Sequence, residues 1–454
     1  MSPDESPRPG ILRLSAPLVA SFWLRSAFAW IDPVFAHHLE DAAGRSIGDE
    51  SLAAIGLTLP LEFLLIAVWV GTSNGLTSRL AAAMGAGSHQ QVEQLKRAAG
   101  RIVVVLCGVF LLLAAATWMF AHSYLDDPVV ARQFQIYAAV LLGGSAFTSF
   151  WSILPDSVIK AHHDTRSTMW AGILSSVTNV VLNALFVFGF GWGIFGIALS
   201  TVLGRIAGLI YALSRAAGHE ARRRAAAGAR AEGPRLSAPV RTILSIAVPS
   251  GLAYVLMALE SQVVNLLLKR LPDAVSLLAA WSIFDRSARF LAMPLIASGV
   301  ALLPLVARSW GAGDRAGVRR EIRTAGLAGA IYAVVFVAPA AFLLGPWVAD
   351  QLSEAEHTRS LAQATMPVLP LAVLAMVPVL QLRPVFDGIG RPKTGLLISL
   401  VRSAVFVVPL VGAGAWFAPQ AGLSELVGAC WGFAAGLALS SAFLTVQLRR
   451  ALVD

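Results

Sequence analysis

The sequence predicts an all-α membrane protein of twelve transmembrane helices, arranged as two parallel six-helix lobes. Three observations carry this. Hydrophobic residues make up 57% of the chain and charged residues only 13%, where an ordinary soluble domain carries about a quarter charged residues. Apolar runs able to cross a hydrocarbon core of roughly 30 Å recur along the chain, centred near residues 25, 66, 110, 147, 179, 203, 256, 290, 336, 374, 406 and 435. Short phrases also recur at a constant offset, the mark of an internal duplication.

The first apolar run follows an acidic, proline-containing start and is succeeded by further spans, not by a cleavage site, so it is expected to stay as a helix and not to act as a signal peptide. The spans leave no room for a soluble domain. Cys107 and Cys430 both lie inside apolar runs, which predicts reduced, packed thiols and no disulfide framework.

The duplication begins with "MGAGSHQQV" at Met84 and "WGAGDRAGV" at Trp310, 226 residues apart. Leu52-Ala53-Ala54 meets Leu278-Ala279-Ala280, Ala99-Gly100 meets Ala325-Gly326, and Thr168 meets Thr394, all at 226. Upstream, "ILRLSAP" at Ile11 matches "ILSIAVP" at Ile243 at an offset of 232, and the six extra residues fall in the loop "HHLEDAAGRSIGDE". Six spans per half is an even number, so both halves insert with the same orientation, related by an axis along the membrane normal. The halves are read as residues 1–214 and 243–454, joined by a basic linker over 215–242. A substrate pathway is then expected between the lobes, with access alternating as one rocks against the other. Each Gly-Ala-Gly reads as a turn after the second span of its half, where glycine permits positive φ. A phosphate cradle would need a following Gly-Lys-Ser/Thr, which is absent.

The net charge of +9 is unevenly distributed. Loops after even-numbered spans, with the two termini, hold 25 of the 35 Lys and Arg, loops after odd-numbered spans hold 5, and 5 lie within spans. Even loops and both termini are therefore expected in the cytoplasm of a bacterial-type inner membrane. The densest run, Arg215 to Arg235, contains no aromatic residue and reads as a linker near anionic lipid, not as a nucleic-acid surface.

An ionisable residue at mid-bilayer costs roughly 2.5–3.5 kcal/mol on insertion scales, so each one should face a cavity or a partner. The acids are Asp32, Glu62, Glu260 and Asp285; the bases are Arg25, Arg205, Arg286, Arg289 and Arg402. Asp285 and Arg289 stand four apart on one helical face and read as an internal pair. Pro33 lacks an N–H, which frees the Ala29 carbonyl beside Asp32. Ser175, Asn179 and Asn183 form one polar line in the fifth span. In the sixth, Gly196, Ser200, Gly204 and Gly208 form a small-residue stripe with Thr201 and Arg205 beside it. His37, His38 and the "HHD" at His162 read as interfacial, with no metal site expected.

Through "IDPVFAHHLE", "SLAAIGL", "AAAMGAGSHQQV", "DTRSTM", "NVVLNALFVFGFGWGIFGIALSTV", "ARSWGAGDRAGV" and "GIGRPKT", nearly the whole chain resembles the multidrug and toxic compound extrusion (MATE) transporters. The resemblance implies export of a substrate against inward flow of H⁺ or Na⁺. It also implies a cation-coupling site: Asp32 matches the acid of the family's first helix, Asn179 its fifth-helix Asn, and Thr201 a sixth-helix Thr near the cation pocket. Asn183 stands where many members have Asp, and His37 and His38 replace a Gly-Arg-like pair. Glu260, Arg25, Arg205 and Arg402 are candidates for the substrate pathway.

The expected function is secondary active efflux of small organic cations or amphiphiles by alternating access. The partners expected are that substrate and the bilayer, with no nucleic acid, and the protein is expected to act as a monomer. No cofactor is expected beyond the coupling ion. Desolvation opposes the charged form of a carboxylate, which favours H⁺ over Na⁺. A flippase for a lipid-linked or anionic substrate is the alternative, kept open by the intramembrane Arg residues. An embedded enzyme is disfavoured, since no Asp-rich pair, Gly-x-Ser-x-Gly or His-Glu-x-x-His is present.

The asymmetry of basic residues makes one test direct. A single Cys placed at Ala226 should resist an impermeant maleimide in intact cells and react after lysis; labelling of intact cells would reverse the orientation.

Overall fold

The computed structural model describes residues 10–28, 31–40, 44–227, 235–353 and 355–453. Hydrocarbon offers no partner to backbone N–H and C=O groups, so apolar runs of this length fold as helices, and twelve long enough to cross a membrane succeed one another along the chain. Among the described residues there is no strand, only an isolated bridge between Glu40 and Ser46.

The first span is described in two parts. It consists of α1 (Ile11–Phe28) and α2 (Ile31–His37), while Ala29, whose carbonyl was expected beside Asp32, lies outside the described residues. Pro33 lies in α2 directly after Asp32. The next spans are α3 (Gly48–Gly85), α4 (His89–Tyr124), α5 (Pro128–Ala161), α6 (Thr165–Ala184), α7 (Gly193–Ala227) and α8 (Pro239–Leu268). A π turn, Leu185–Gly189, extends α6.

The second half repeats these lengths. Helix α9 (Ala274–Gly311) has 38 residues, as α3 does, and begins 226 positions later. A π turn at Ala333–Val337 joins α10 (Arg315–Tyr332) to α11 (Ala338–Leu352). A 3₁₀ turn at Met366–Val368 joins α12 (Glu356–Thr365) to α13 (Leu369–Gly388), and a second π turn of this half, Arg402–Val407, joins α14 (Pro392–Val401) to α15 (Val408–Phe417). The last helix is α16 (Glu425–Val453).

The turns after the second, fourth, eighth and tenth spans share one geometry. Gly87 (φ 69°) and Gly313 (φ 76°) occupy the left-handed region, while Gly85 and Gly311 are still the last residues of their helices. Only the second glycine of each Gly-Ala-Gly therefore uses its conformational freedom. The turn closes through Ser88 N–H to the Ala83 carbonyl in one half and Asp314 N–H to the Ser309 carbonyl in the other, the pattern of a left-handed helix C-cap. His163 (φ 60°) and Gly390 (φ 76°) end the fourth and tenth spans in the same way.

The chain divides into two compact units, Ala20–Gly251 and Met1–Val19 with Leu252–Asp454. In the first, α5 is central, with Leu141, Leu142, Phe150 and Ile153 fully buried and packed among α3, α4 and α7. The small-residue stripe of α7 lies against α6: a Cβ on Gly204 would sit 2.6 Å from the Ser175 carbonyl oxygen, and one on Gly208 2.8 Å from that of Ala171. In the second unit α9, α13 and α16 form the core, with Trp281, Phe284 and Phe433 in mutual ring contact. Cys107 and Cys430 are buried free thiols.

The "HHD" turn belongs to a charged layer at one end of the first unit. Asp164 caps α6 by accepting from Ser167 N–H at 3.1 Å and from its hydroxyl at 2.6 Å, and it accepts from His219 Nε2 at 2.9 Å. Burial alone would raise the Asp164 carboxyl, but those hydrogen bonds outweigh it and hold the group below the usual carboxylate range. Its contribution is thus present at neutral pH and is lost as pH falls through that lowered value. His162 stacks on His219 with ring centroids 4.9 Å apart. Glu220 bridges Lys96 at 2.6 Å and Arg223 at 2.9 Å, tying α7 to α4.

Close approach of α6 and α7 rests on a missing side chain, which a pair of substitutions can test. Gly204→Ala should cost about 1–3 kcal/mol, the usual penalty of overpacking, and lower the melting temperature in detergent. Gly100→Ala, where a Cβ meets nothing within 4 Å, should leave it unchanged or slightly raised.

Candidate functional site

Asp32 sits in the first turn of α2, where α6 and α7 supply its partners. Asn179 and Asn183 lie four apart and share one face of α6. Asn183, fully buried, donates its Nδ2 to Asp32 Oδ1 at 2.7 Å. Thr201 donates Oγ1 to Asp32 Oδ2 at 3.0 Å. Behind these stands a second layer: Asn179 Nδ2 donates to Thr201 Oγ1 at 2.9 Å, and Ser200 Oγ donates to Asn183 Oδ1 at 2.7 Å. Two strings of donors, Asn179 to Thr201 and Ser200 to Asn183, therefore both end on the same carboxylate. All four members are neutral. Tyr137, buried on α5, adds its hydroxyl to the carboxylate's surroundings.

The four residues expected at the cation site, Asp32, Asn179, Asn183 and Thr201, thus form one connected network. The four expected along the substrate pathway do not. Arg205, one turn after Thr201 on α7, donates to Ser145 Oγ and stands 4.0 Å from Glu62 on α3. Arg25, near the end of α1, is exposed, with its side chain beside Gly172 of α6. These belong to the Ala20–Gly251 unit. Glu260 and Arg402 belong to the other unit, where they form a buried ion pair.

That pair is bidentate. Arg402 donates Nη1 to Glu260 Oε1 at 3.1 Å and Nη2 to Oε2 at 2.9 Å, and Ser403 Oγ donates to Oε2 at 2.5 Å. Successive residues of a regular α-helix point about 100° apart, but Arg402 and Ser403 open a π turn, whose wider winding brings both onto one carboxylate. The pair lines a cavity of about 80 Å³ together with Asp285, Arg289, Trp281 and Phe433. Asp285 and Arg289 form the expected internal pair, at 2.7 Å.

Other intramembrane charges are paired as well. Lys160 meets Asp156 at 2.6 Å in the fourth span, and Arg383 meets Asp387 at 3.1 Å in the tenth, with acid and base in the opposite order. Sequence reasoning missed Ser200 as a network member, Tyr137, Ser403 and the approach of Glu62 to Arg205. Ser200 carried a signal, its alignment with the polar face that includes Thr201; Ser403 carried none, because helical periodicity places it away from Arg402.

The sequence profile of the MatE family matches residues 42–185 and 249–411. A Shewanella oneidensis protein named FAD transporter is 22% identical over 91% of this chain and 89% of its own length. A Bacillus subtilis protein named probable multidrug resistance protein YoeA is 24% identical over 62% of this chain and 61% of its own. Among solved structures, an outward-facing multidrug resistance MATE family transporter of the MOP superfamily has a TM-score of 0.84 at 20% identity, covering 98% of this chain and 95% of that one. The Vibrio cholerae MATE transporter VcmN in its bent form also scores 0.84, at 21% identity, covering 97% and 96%. These likenesses establish a shared fold.

A buried charge left without its partner costs about 3–5 kcal/mol, whereas removing both partners is often neutral. Arg402→Gln alone should therefore unfold the protein at markedly lower temperature, and the double variant Glu260→Gln/Arg402→Gln should recover most of the loss. Additive losses would show that the two side chains do not depend on each other.

Proposed function

The chain belongs to the MatE family of multi-pass membrane transporters, and from that premise we propose that it exports small organic compounds in exchange for inward-moving protons, with Asp32 as the coupling group. The observation that carries this reading is that, among the described residues, the side chains that hydrogen-bond Asp32 are neutral, the Arg205 guanidinium acting on it only through space. A carboxylate held by guanidinium or ammonium stays ionised; one held by amides and hydroxyls away from water is free to take a proton.

The hydrogen bonds accommodate both states. With Asp32 ionised, Thr201 donates to Oδ2. When a proton arrives at Oδ2, the new O–H donates to Thr201 Oγ1, and the threonine hydrogen turns to the Ile197 carbonyl, which stands 3.3 Å away. No heavy atom has to move. Sodium fits less well, because Asn183 presents its NH₂ to Asp32 while its amide oxygen accepts from Ser200. A small cation would need that oxygen turned inward.

Loading the proton from outside and releasing it inside, while substrate moves the other way, requires the site to open to each side in turn. In this reading both termini face the cytoplasm of a bacterial-type inner membrane. Arg205 stands against Glu62, not as an open basic group, which favours an exporter of small compounds over a flippase for an anionic lipid. The relative named as an FAD transporter makes a flavin dinucleotide one compound to include among the substrates assayed.

The test is flux in proteoliposomes with pH and sodium gradients imposed separately. The wild type should move dye under a proton gradient, and Asp32→Asn, which keeps size and hydrogen bonding, should fall to the leak rate while still binding dye. Asn183→Asp, which adds a second acid, should change the pH or sodium dependence. Transport by Asp32→Asn at the wild-type rate would remove Asp32 from the coupling role.

A further inference from the structure

The cavity of the Leu252–Asp454 unit takes no part in the chemistry of Asp32. Its charged lining is Glu260, Asp285, Arg289 and Arg402, two acids and two guanidinium groups. We propose that this cavity receives a carboxylate carried by the transported amphiphile, with Arg289 and Arg402 as its ligands. The inference rests on the export reading and narrows its substrate class.

Donor arithmetic leads there. Each guanidinium carries five N–H groups and no acceptor. Arg402 directs N–H groups to both Glu260 oxygens and to Ser403 Oγ, and Arg289 directs them to Asp285 Oδ2 at 2.7 Å and Ser261 Oγ at 2.6 Å. These contacts employ half of the N–H groups that the two side chains carry. The acids, by contrast, are engaged: Glu260 accepts on both oxygens, and Asp285 accepts from Arg289. A ligand rich in acceptors gains hydrogen bonds here. A lone cation finds both Glu260 oxygens and Asp285 Oδ2 already turned to guanidinium groups.

Charge balance sets the rest of the ligand. The four ionisable side chains sum to zero, and an added uncompensated charge beside the buried Glu260 and Arg402 is costly. The occupant is therefore an anionic group on a molecule that carries its own positive charge, which the faces of Trp281 and Phe433 and the carboxylate of Asp285 suit. At about 80 Å³ the cavity holds one end group, not a whole drug-sized molecule, whose pocket is roughly 300–1,000 Å³. Arg289, half exposed, meets the incoming carboxylate first. Arg402, only 7% exposed, follows as the ligand competes with Glu260, which occupies the same guanidinium when the cavity is empty.

Two dyes differing at this one group test the idea. Rhodamine 110 carries a free carboxylate, and rhodamine 123 is the same xanthene as its methyl ester. Binding is measured by fluorescence anisotropy to the full-length protein in phosphatidylcholine nanodiscs, without any gradient, so failure of proton coupling would appear in flux and leave this result untouched. The wild type should bind rhodamine 110 at least about tenfold more tightly, the scale of one charge-assisted hydrogen bond. Arg289→Gln should abolish that preference, and so should Glu260→Gln/Arg402→Gln, with rhodamine 123 binding unchanged in both. Equal affinity for the two dyes in the wild type, or variants that weaken both dyes together, would overturn the proposal. So would loss of the preference on adding phosphatidylglycerol, which would assign the cavity to a lipid headgroup.

Discussion

Taking an ion out of water is the most expensive step a membrane-embedded side chain can make, and it costs less only when the ion meets an opposite charge, a set of hydrogen-bond donors, or a proton. The half-buried Asp32 in one unit and the buried Glu260 in the other settle that cost differently. Asp32 is surrounded by the amide of Asn183 and the hydroxyl of Thr201, groups that lower the cost without removing it. Glu260 is met by the Arg402 guanidinium on two oxygens and by Ser403. One carboxylate has neutral hydrogen-bond partners, and the other has a guanidinium.

The duplicated scaffold makes this contrast possible. Helices α3 and α9 match in length, and the turns after the second, fourth, eighth and tenth spans share a left-handed closing residue, so the two halves build the same frame. Within it the polar side chains have diverged. The fourth span carries acid before base and the tenth base before acid. Such reversal is tolerated because an i,i+4 pair neutralises itself within one helix and leaves the packing around it unchanged. Two of the three described π turns adjoin polar groups: one starts two residues after Asn183, and another begins at Arg402. A π turn gives up regular winding, a local cost that persists where the re-aimed side chains are used.

In the proposed function the two similar halves take different tasks. The Ala20–Gly251 unit contains the neutral donor strings suited to a proton, while the Leu252–Asp454 unit contains a small, charge-balanced, donor-rich cavity suited to an end group of the cargo. Neither arrangement would be efficient if both tasks shared one carboxylate. A guanidinium strong enough to bind an anion would hold the acid ionised through the proton cycle.

The twelve spans, the offset of 226 and the turns at Gly87 and Gly313 could be read from the sequence, because hydropathy, repeat spacing and helical periodicity are local properties of the chain, while the grouping of Asp32, Asn179, Asn183 and Thr201 in one site came from the family resemblance. The direction of each hydrogen bond could not. That Asn183 turns its NH₂, not its oxygen, to Asp32 depends on Ser200 of another helix already donating to that oxygen. The same holds for Arg402 and Glu260, separated by 142 positions and joined by a π turn that breaks the periodicity sequence reasoning relies on. Composition and spacing determine which groups enter the membrane. Only the packing of one helix on another decides which of them remain ions, since the energy of a buried charge is set by neighbours that the chain brings from far along its length.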